Sequence, residues 1–255
     1  MGEYSLGIGY AEGQGVPQDY AEAARWYRKA ADQGYAMALN GLAYMYEHSQ
    51  GVVQDYAEAA RWSRKAADQG DAYAQSYLGF CYFHGQGVTL DYAEAARWYR
   101  KAADQGNAYA QYALGNMYRK AQGLAQDDDA AARWYRKAAE QGYAPAQYGL
   151  AVRYYQGKGV RRDYAEAVRW HQKSADQGEA TAQFDLGEVY ARGGEGLPLD
   201  YVRAHMWMAL AGARASGELK ERCVRGVEAV ERKMSAGEIT EAGRLAGEWK
   251  PRERH

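Results

Sequence analysis

The residues of this 255-residue chain that could do chemistry are few, and most recur at one spacing. His48 and His84 stand 36 residues apart in matching surroundings, Met-Tyr-Glu-His and Cys-Tyr-Phe-His. Two imidazoles could begin a metal site, but a tetrahedral ion needs further ligands at fixed spacing, and His171, His205 and His255 fall elsewhere in the pattern. No metal or other cofactor is expected. The glycine pairs Gly13 and Gly15, Gly85 and Gly87, and Gly157 and Gly159 could cradle a phosphate with backbone N–H groups. That use requires a strand before the glycines and a helix opening on the ligand; here each pair follows a helical pattern, so a tight connector is expected. No Gly-x-Ser-x-Gly, Ser-x-x-Lys or His-Glu-x-x-His segment occurs, and no catalytic residue is expected. Cys81 and Cys223 are too few for a disulfide framework, and Cys81 shares its column with Met45, Met117 and Val189, as a small buried apolar residue would.

These groups sit in a repeat. Trp26, Trp62, Trp98, Trp134, Trp170 and Trp207 follow one another at 36, 36, 36, 36 and 37 residues, and Asp19, Asp55, Asp91, Asp127, Asp163 and Asp200 keep the same beat. A fixed period of this size predicts a stacked array of short units. The first half of a unit reads Ala-x-Ala-x-x-x-Leu-Gly-x-x-Tyr. Ala74, Leu78 and Tyr82 are spaced to share one helix face. The second half opens on an aspartate with a glutamate three residues on, Asp55 with Glu58 for example, which predicts a capping box. The same pair recurs at Asp19 and Glu22, Asp91 and Glu94, and Asp163 and Glu166. Gly70, Gly106, Gly142 and Gly178 end each second helix. Departures are local: Ala43 and Ala151 replace a helix glycine, Ser49 and Ala121 replace the first connector glycine, and the sixth connector has one extra residue.

Beyond Trp207 the beat fades. A helix is expected over about 218–233 with Leu219, Cys223, Val227 and Val230 on one face. Ser235 and Glu238 predict a second capping box ahead of Ile239, Ala242, Leu245, Ala246 and Trp249. This pair reads as the terminal cap such arrays require, with Trp249 as a packing anchor.

The unit resembles the Sel-1-like repeat, a relative of the tetratricopeptide repeat, over about residues 2–215. The resemblance implies an all-α, right-handed α/α solenoid of six 36-residue helix-pair repeats plus a C-terminal helical cap. Units are expected at about 1–34, 35–70, 71–106, 107–142, 143–178 and 179–215, with capping helices and tail over 216–255. It also implies a non-enzymatic scaffold or adaptor that binds a segment of another protein on its concave face. The alternative is a β-lactamase-like hydrolase or small-molecule binder of the cysteine-rich Sel-1-like type, which would need cysteines and a serine or metal centre that this sequence lacks.

Columns that vary between units are free to bind. On the first helix they hold Met37, Tyr73, Tyr109, Pro145 and Thr181; Asn40, Ser76, Tyr112, Tyr148 and Phe184; and Tyr44, Phe80, Asn116, Val152 and Glu188. Two more hold Glu47, Phe83, Arg119, Tyr155 and Ala191, and His48, His84, Lys120, Gln156 and Arg192. All lie opposite the packing stripe. The expected partner-binding residues are Tyr44, Tyr73, Phe80, Phe83, Tyr109, Tyr112, Tyr148, Tyr155 and Phe184. A second candidate is the cluster Arg153, Lys158, Arg161 and Arg162 beside Asp127, Asp128 and Asp129, which reads first as a solvated edge of paired charges.

Formal net charge is -1, which argues against nucleic acid as partner. No apolar run is long enough to span a bilayer. The chain opens inside its first helix with no export signal, so it is cytoplasmic as written, or periplasmic or secreted if a leader has been removed. A monomer is expected.

Overall fold

The computed structural model describes residues 2–193 and 198–251. Among them lie fourteen α-helices and no strand. They are α1 (Gly2–Glu12), α2 (Tyr20–Asp32), α3 (Ala36–His48), α4 (Tyr56–Asp68), α5 (Ala72–His84), α6 (Tyr92–Asp104) and α7 (Ala108–Lys120), then α8 (Asp128–Glu140), α9 (Ala144–Gln156), α10 (Tyr164–Asp176), α11 (Ala180–Arg192), α12 (Tyr201–Arg214), α13 (Gly217–Glu231) and α14 (Ala236–Glu248). Odd-numbered helices up to α11 are the first halves of the repeats and even-numbered ones up to α12 the second halves. The extra residue of the sixth connector lies outside the described residues. The chain divides into two compact units, Met1–Asp127 and Asp128–His255.

The second helices begin where the aspartates stand, but by a mechanism other than the expected reciprocal box. Asp55 accepts hydrogen bonds from the N–H groups of Ala57 (2.9 Å) and Glu58 (3.0 Å). Asp19 and Asp91 cap in the same way. The return bond from the glutamate is replaced. The Asp55 N–H donates instead to the carbonyl of Tyr46 at 3.1 Å, and Asp91 N–H to that of Tyr82 at 2.9 Å. The cap therefore ties the second helix to the last turn of the first, worth about 1 kcal/mol by N-cap measures. Glu58, released from the box, accepts from Trp62 Nε1 at 3.1 Å and Arg61 at 2.7 Å. Ser235 and Glu238, ahead of α14, do form the full reciprocal box.

In the first unit the core is the apolar stripe of the first helices laid on the alanine face of the second. Leu39, Leu42, Ala66, Ala67 and Leu78 are fully or almost fully buried. Each buried Leu contributes roughly 1.5–3 kcal/mol relative to exposure. Successive pairs are joined by polar bonds with the same register. Gln69 Nε2 donates to the Gly34 carbonyl at 3.0 Å and Gln105 Nε2 to that of Gly70 at 2.9 Å. Arg64 donates to Tyr82 Oη at 2.5 Å, and Arg28 makes the matching bond to Tyr46. Helix glycines admit aromatic rings: a Cβ on Gly79 would lie 2.7 Å from Tyr99. In the repeat where Ala43 stands in for that glycine, the tyrosine column holds the smaller Ser63, so the substitution is matched in volume.

The second unit repeats these contacts, with Arg136 donating to Tyr154 Oη at 2.7 Å and Gln177 to Gln147 Oε1 at 2.8 Å. Its terminal helices close the last repeat. Cys223 of α13 packs with Phe184, Met208 and Ala211, while Val230, Leu245 and Trp249 pack with Trp207 and Leu210. Trp249 meets Trp207 edge-on at 6.1 Å and carries the Arg214 guanidinium 4.7 Å from its ring centre.

Candidate functional site

The variable columns of the first helices divide by exposure. In the first unit Tyr73 is 61% exposed, and Tyr44 and Tyr109 are also open to solvent. Tyr44 stacks on His48 at 4.0 Å between ring centres. Phe80 and Phe83 are half-buried: Phe80 packs on His84 at 4.4 Å and Phe83 on Tyr92 at 5.1 Å. Tyr112 is half-buried. These side chains form an aromatic, partly open face carried on α3, α5 and α7. Among the described residues, no group of three or more His, Cys, Asp or Glu side chains is placed to hold a metal ion. Cys81 lies under this face, buried, its thiol pushed up to about 12 by burial.

One expected surface residue is withdrawn from it. Phe184 is only 3% exposed, covered by α13, with the Arg222 guanidinium 4.5 Å from its ring centre. The reason is geometric. The column Asn40, Ser76, Tyr112, Tyr148 and Phe184 turns toward neighbouring helices, so its members are buried or half-buried. At the last repeat the neighbour is the cap.

In the second unit α9, α10 and α11 enclose a cleft of about 420 Å³. Tyr148, Val152 and Tyr155 of α9 form one wall, and Asp185, Glu188 and Arg192 of α11 the other. Tyr164, Val168 and His171 of α10 lie between them. Tyr148 Oη donates to Asp185 Oδ2 at 3.0 Å. Burial raises the Asp185 carboxyl above its ordinary value, an effect the Tyr148 hydrogen bond opposes. His171 is buried, meets Tyr148 edge-on at 5.5 Å, and burial lowers its pKa to about 4, so the ring is neutral at pH 7. Its Nδ1 has no hydrogen-bond partner among the described residues. Glu188 pairs with Arg192 at 3.0 Å and lies 4.0 Å from Arg222.

Tyr148 and Tyr155 were expected at a binding face; His171 and Asp185 were not. The signal for them was a break in column. His171 stands where Tyr27, Ser63, Tyr99 and Tyr135 stand, and Asp185 where Gly41, Tyr77, Ala113 and Gly149 stand. The charged cluster also differs from expectation. Arg153 is buried and pairs with Asp128 at 3.1 Å and Gln156 at 3.1 Å, an internal tie rather than a solvated edge. Lys158, Arg161 and Arg162 remain exposed.

No helix among the described residues is long and apolar enough to cross a membrane. No curated protein matches the chain at a significant level. Among solved structures it is similar to a Sel1 repeat protein from Oxalobacter formigenes, at 33% identity over 85% of each chain and a TM-score of 0.73. It is also similar to a protective antigen of uropathogenic Escherichia coli with an SLR fold, at 31% identity over 97% of this chain and 68% of that one, with a TM-score of 0.45. A Sel1 repeat protein of Klebsiella pneumoniae shares 21% identity over 82% of this chain and 99% of that one, with a TM-score of 0.49. The Sel1 repeat model matches residues 1–35, 36–71, 72–107, 108–143, 144–179 and 180–216. With six matched repeats spanning most of its length and helix pairs to correspond, this chain belongs to the Sel1 repeat family.

Proposed function

We propose that the protein is a non-enzymatic scaffold that, as a single chain, binds a segment of another protein on the exposed faces of its first helices. Sel1 repeat proteins typically mediate protein–protein interaction, and this chain varies its repeats where such a contact would be made. The observation that carries the reading is the open aromatic set: Tyr44, Tyr73 and Tyr109 in one unit and Tyr155 in the other are exposed on helices whose opposite faces are fully packed. Tyrosine gives large contact area at low entropic cost and is enriched among residues that dominate interfaces. In this reading residues 1–215 carry the interaction and 216–255 close the array.

Selection of a random 16-residue peptide display library on the full chain tests it. The expected result is a set of enriched peptides that bind the parent and lose tenfold or more on Tyr73→Ala or Tyr155→Ala, since a truncated interface anchor costs upward of about 1–2 kcal/mol. These side chains are exposed, so the variants keep their fold. Absence of enrichment, or equal binding to parent and both variants, overturns the reading.

A further inference from the structure

The fifth connector departs from the earlier ones in charge. Residues 13–18, 49–54, 85–90 and 121–126 carry none, whereas 157–162 reads Gly-Lys-Gly-Val-Arg-Arg. The turn itself does not require these charges. Gln18 and Gln54, which stand where Arg162 stands, donate to the Ala11 and Glu47 carbonyls at 2.8 and 2.7 Å. Each also donates to a tyrosine hydroxyl at 3.0 Å, Tyr20 and Tyr56 respectively. Arg162 keeps a long bond to the Tyr164 hydroxyl, at 3.4 Å. Glutamine therefore ties the connector better, and the arginine adds a charge instead.

Arg161 and Arg162 line an open groove of about 890 Å³ with Arg136 of α8, Tyr154 of α9, and Asp163 and Tyr164 at the start of α10. Arg136 donates to the Tyr154 hydroxyl at 2.7 Å, one use of its five donors. Among the described residues none of the three arginines forms an ion pair. Asp163, the one carboxylate of the groove, caps α10 by accepting from the Glu166 N–H at 3.0 Å. Asp128, which the connector crosses at Gly159, holds Arg153. Three guanidinium groups against one carboxylate leave the groove with two surplus positive charges.

Guanidinium forks match oxyanions, and a cluster of them is a common reader of acidic motifs. An exposed ion pair contributes little by itself, so a single carboxylate or free phosphate would exchange readily with salt. Several carboxylates on one chain engage the three arginines together, each raising the effective concentration of the next. A nucleic acid would carry its phosphates on past the groove, against the exposed Asp129 and a chain of net charge -1. The groove also continues the face already described. Tyr164 lines both it and the neighbouring cleft, where it meets the exposed Tyr155 edge-on at 5.3 Å.

We propose that this groove receives an acidic stretch of the bound segment, its carboxylates paired with Arg136, Arg161 and Arg162. The proposal rests on the scaffold reading and adds the chemistry of the partner to it.

The experiment uses the full chain and two blocked peptides, one of four Gly-Glu repeats and one of four Gly-Gln repeats. Each is titrated at low salt while the backbone amide resonances of residues 158–165 are followed by NMR. Saturable shifts with the glutamate peptide, at least tenfold weaker with the glutamine peptide, are expected. Arg161→Ala with Arg162→Gln reproduces the Ala125-Gln126 pair of the fourth connector, so the turn is kept. That double variant should weaken the glutamate peptide at least tenfold. Lys220→Gln with Arg225→Gln, which removes two exposed charges from α13, should stay within twofold of the parent. No binding, equal response to both peptides, or equal loss in both double variants overturns the proposal. Tighter binding of a uridine octanucleotide at the same amides also overturns it. Library peptides that need Tyr155 yet lack acidic residues and ignore the connector variant overturn it while leaving the scaffold reading intact. Glutamate-peptide binding with no enriched library peptide overturns the scaffold reading and this proposal with it.

Discussion

Alanine at Gly87 asks whether the connectors are turns alone or contacts between repeats. Gly87 has φ of 72°. A Cβ added there would fall 2.0 Å from the carbonyl oxygen of Tyr56 and 2.8 Å from the amide nitrogen of Ala57. Both belong to the first turn of α4, one repeat earlier, and no side-chain rotation can move them aside. Two glycines of similar conformation act as controls. Gly85, with φ of 68°, would place its Cβ 3.2 Å from the Leu90 side chain, and Gly15, with φ of 74°, has nothing within 4 Å. All three substitutions incur the left-handed cost of roughly 1–2 kcal/mol, offset by roughly 0.4–1 kcal/mol from a stiffer unfolded chain. Gly15→Ala and Gly85→Ala should therefore cost about 1 kcal/mol net. Gly87→Ala must also open the stack by more than an ångström, and overpacking of that kind adds roughly 1–3 kcal/mol. Urea and thermal unfolding of the full chain, followed by helical circular dichroism, should place Gly87→Ala about 3 kcal/mol below the parent, a midpoint loss of about 6–12 °C. The controls should lose about 2–4 °C. If Gly87→Ala and Gly85→Ala unfold within about 0.5 kcal/mol of each other, the inter-repeat contact carries no stability and the reasoning fails.

Two further outcomes follow from the same contacts. Ala121 holds φ of 55° where four of the other five repeats have glycine, so Ala121→Gly should stabilise by about 0.5–1 kcal/mol and raise the midpoint by about 2 °C; a lower midpoint would show the left-handed cost to be relieved locally. His171 is held neutral, its pKa lowered from 6.5 to about 4, so its contribution is complete above pH 6.5 and lost as pH falls toward 4 while the unfolded chain binds the proton. Over that window the loss amounts to about 3 kcal/mol. Asp185, raised by burial, acts in the opposite sense, and comparison with His171→Gln isolates the imidazole. The variant's stability should be flatter with pH in that range; parallel curves for parent and variant would contradict it.

Much of the architecture was legible because the fold is built from local rules repeated. Leu78 and its equivalents mark the packing face, Asp55 and its equivalents start the second helices, and Gly70 and its equivalents end them, all through contacts within a few residues. The capping pattern misleads for a reason of the same kind. Asp55 and Glu58 have the right identities and spacing, but the Asp55 N–H finds the Tyr46 carbonyl first, and that acceptor is placed by the chain's return between helices. Arg153 shows the limit again: its charge suggests a solvated edge, and only packing buries its side chain and sets it against the half-buried Asp128 carboxylate.

The amino-acid sequence by itself determined the number of repeats, the helix pair in each, and which columns vary, because period, caps and apolar stripes are properties of residues near in the chain. Tertiary structure alone decided which varied residues are free. Phe184 and Tyr73 both stand in variable columns, yet α13 covers one while the other stays largely open to solvent. Asp185 and His171 lie fourteen positions apart and on different helices, and only packing of α9, α10 and α11 turns them toward one cleft. Exposure and mutual distance depend on which helices meet, and that is set by the sum of many weak contacts rather than by any residue's own preference.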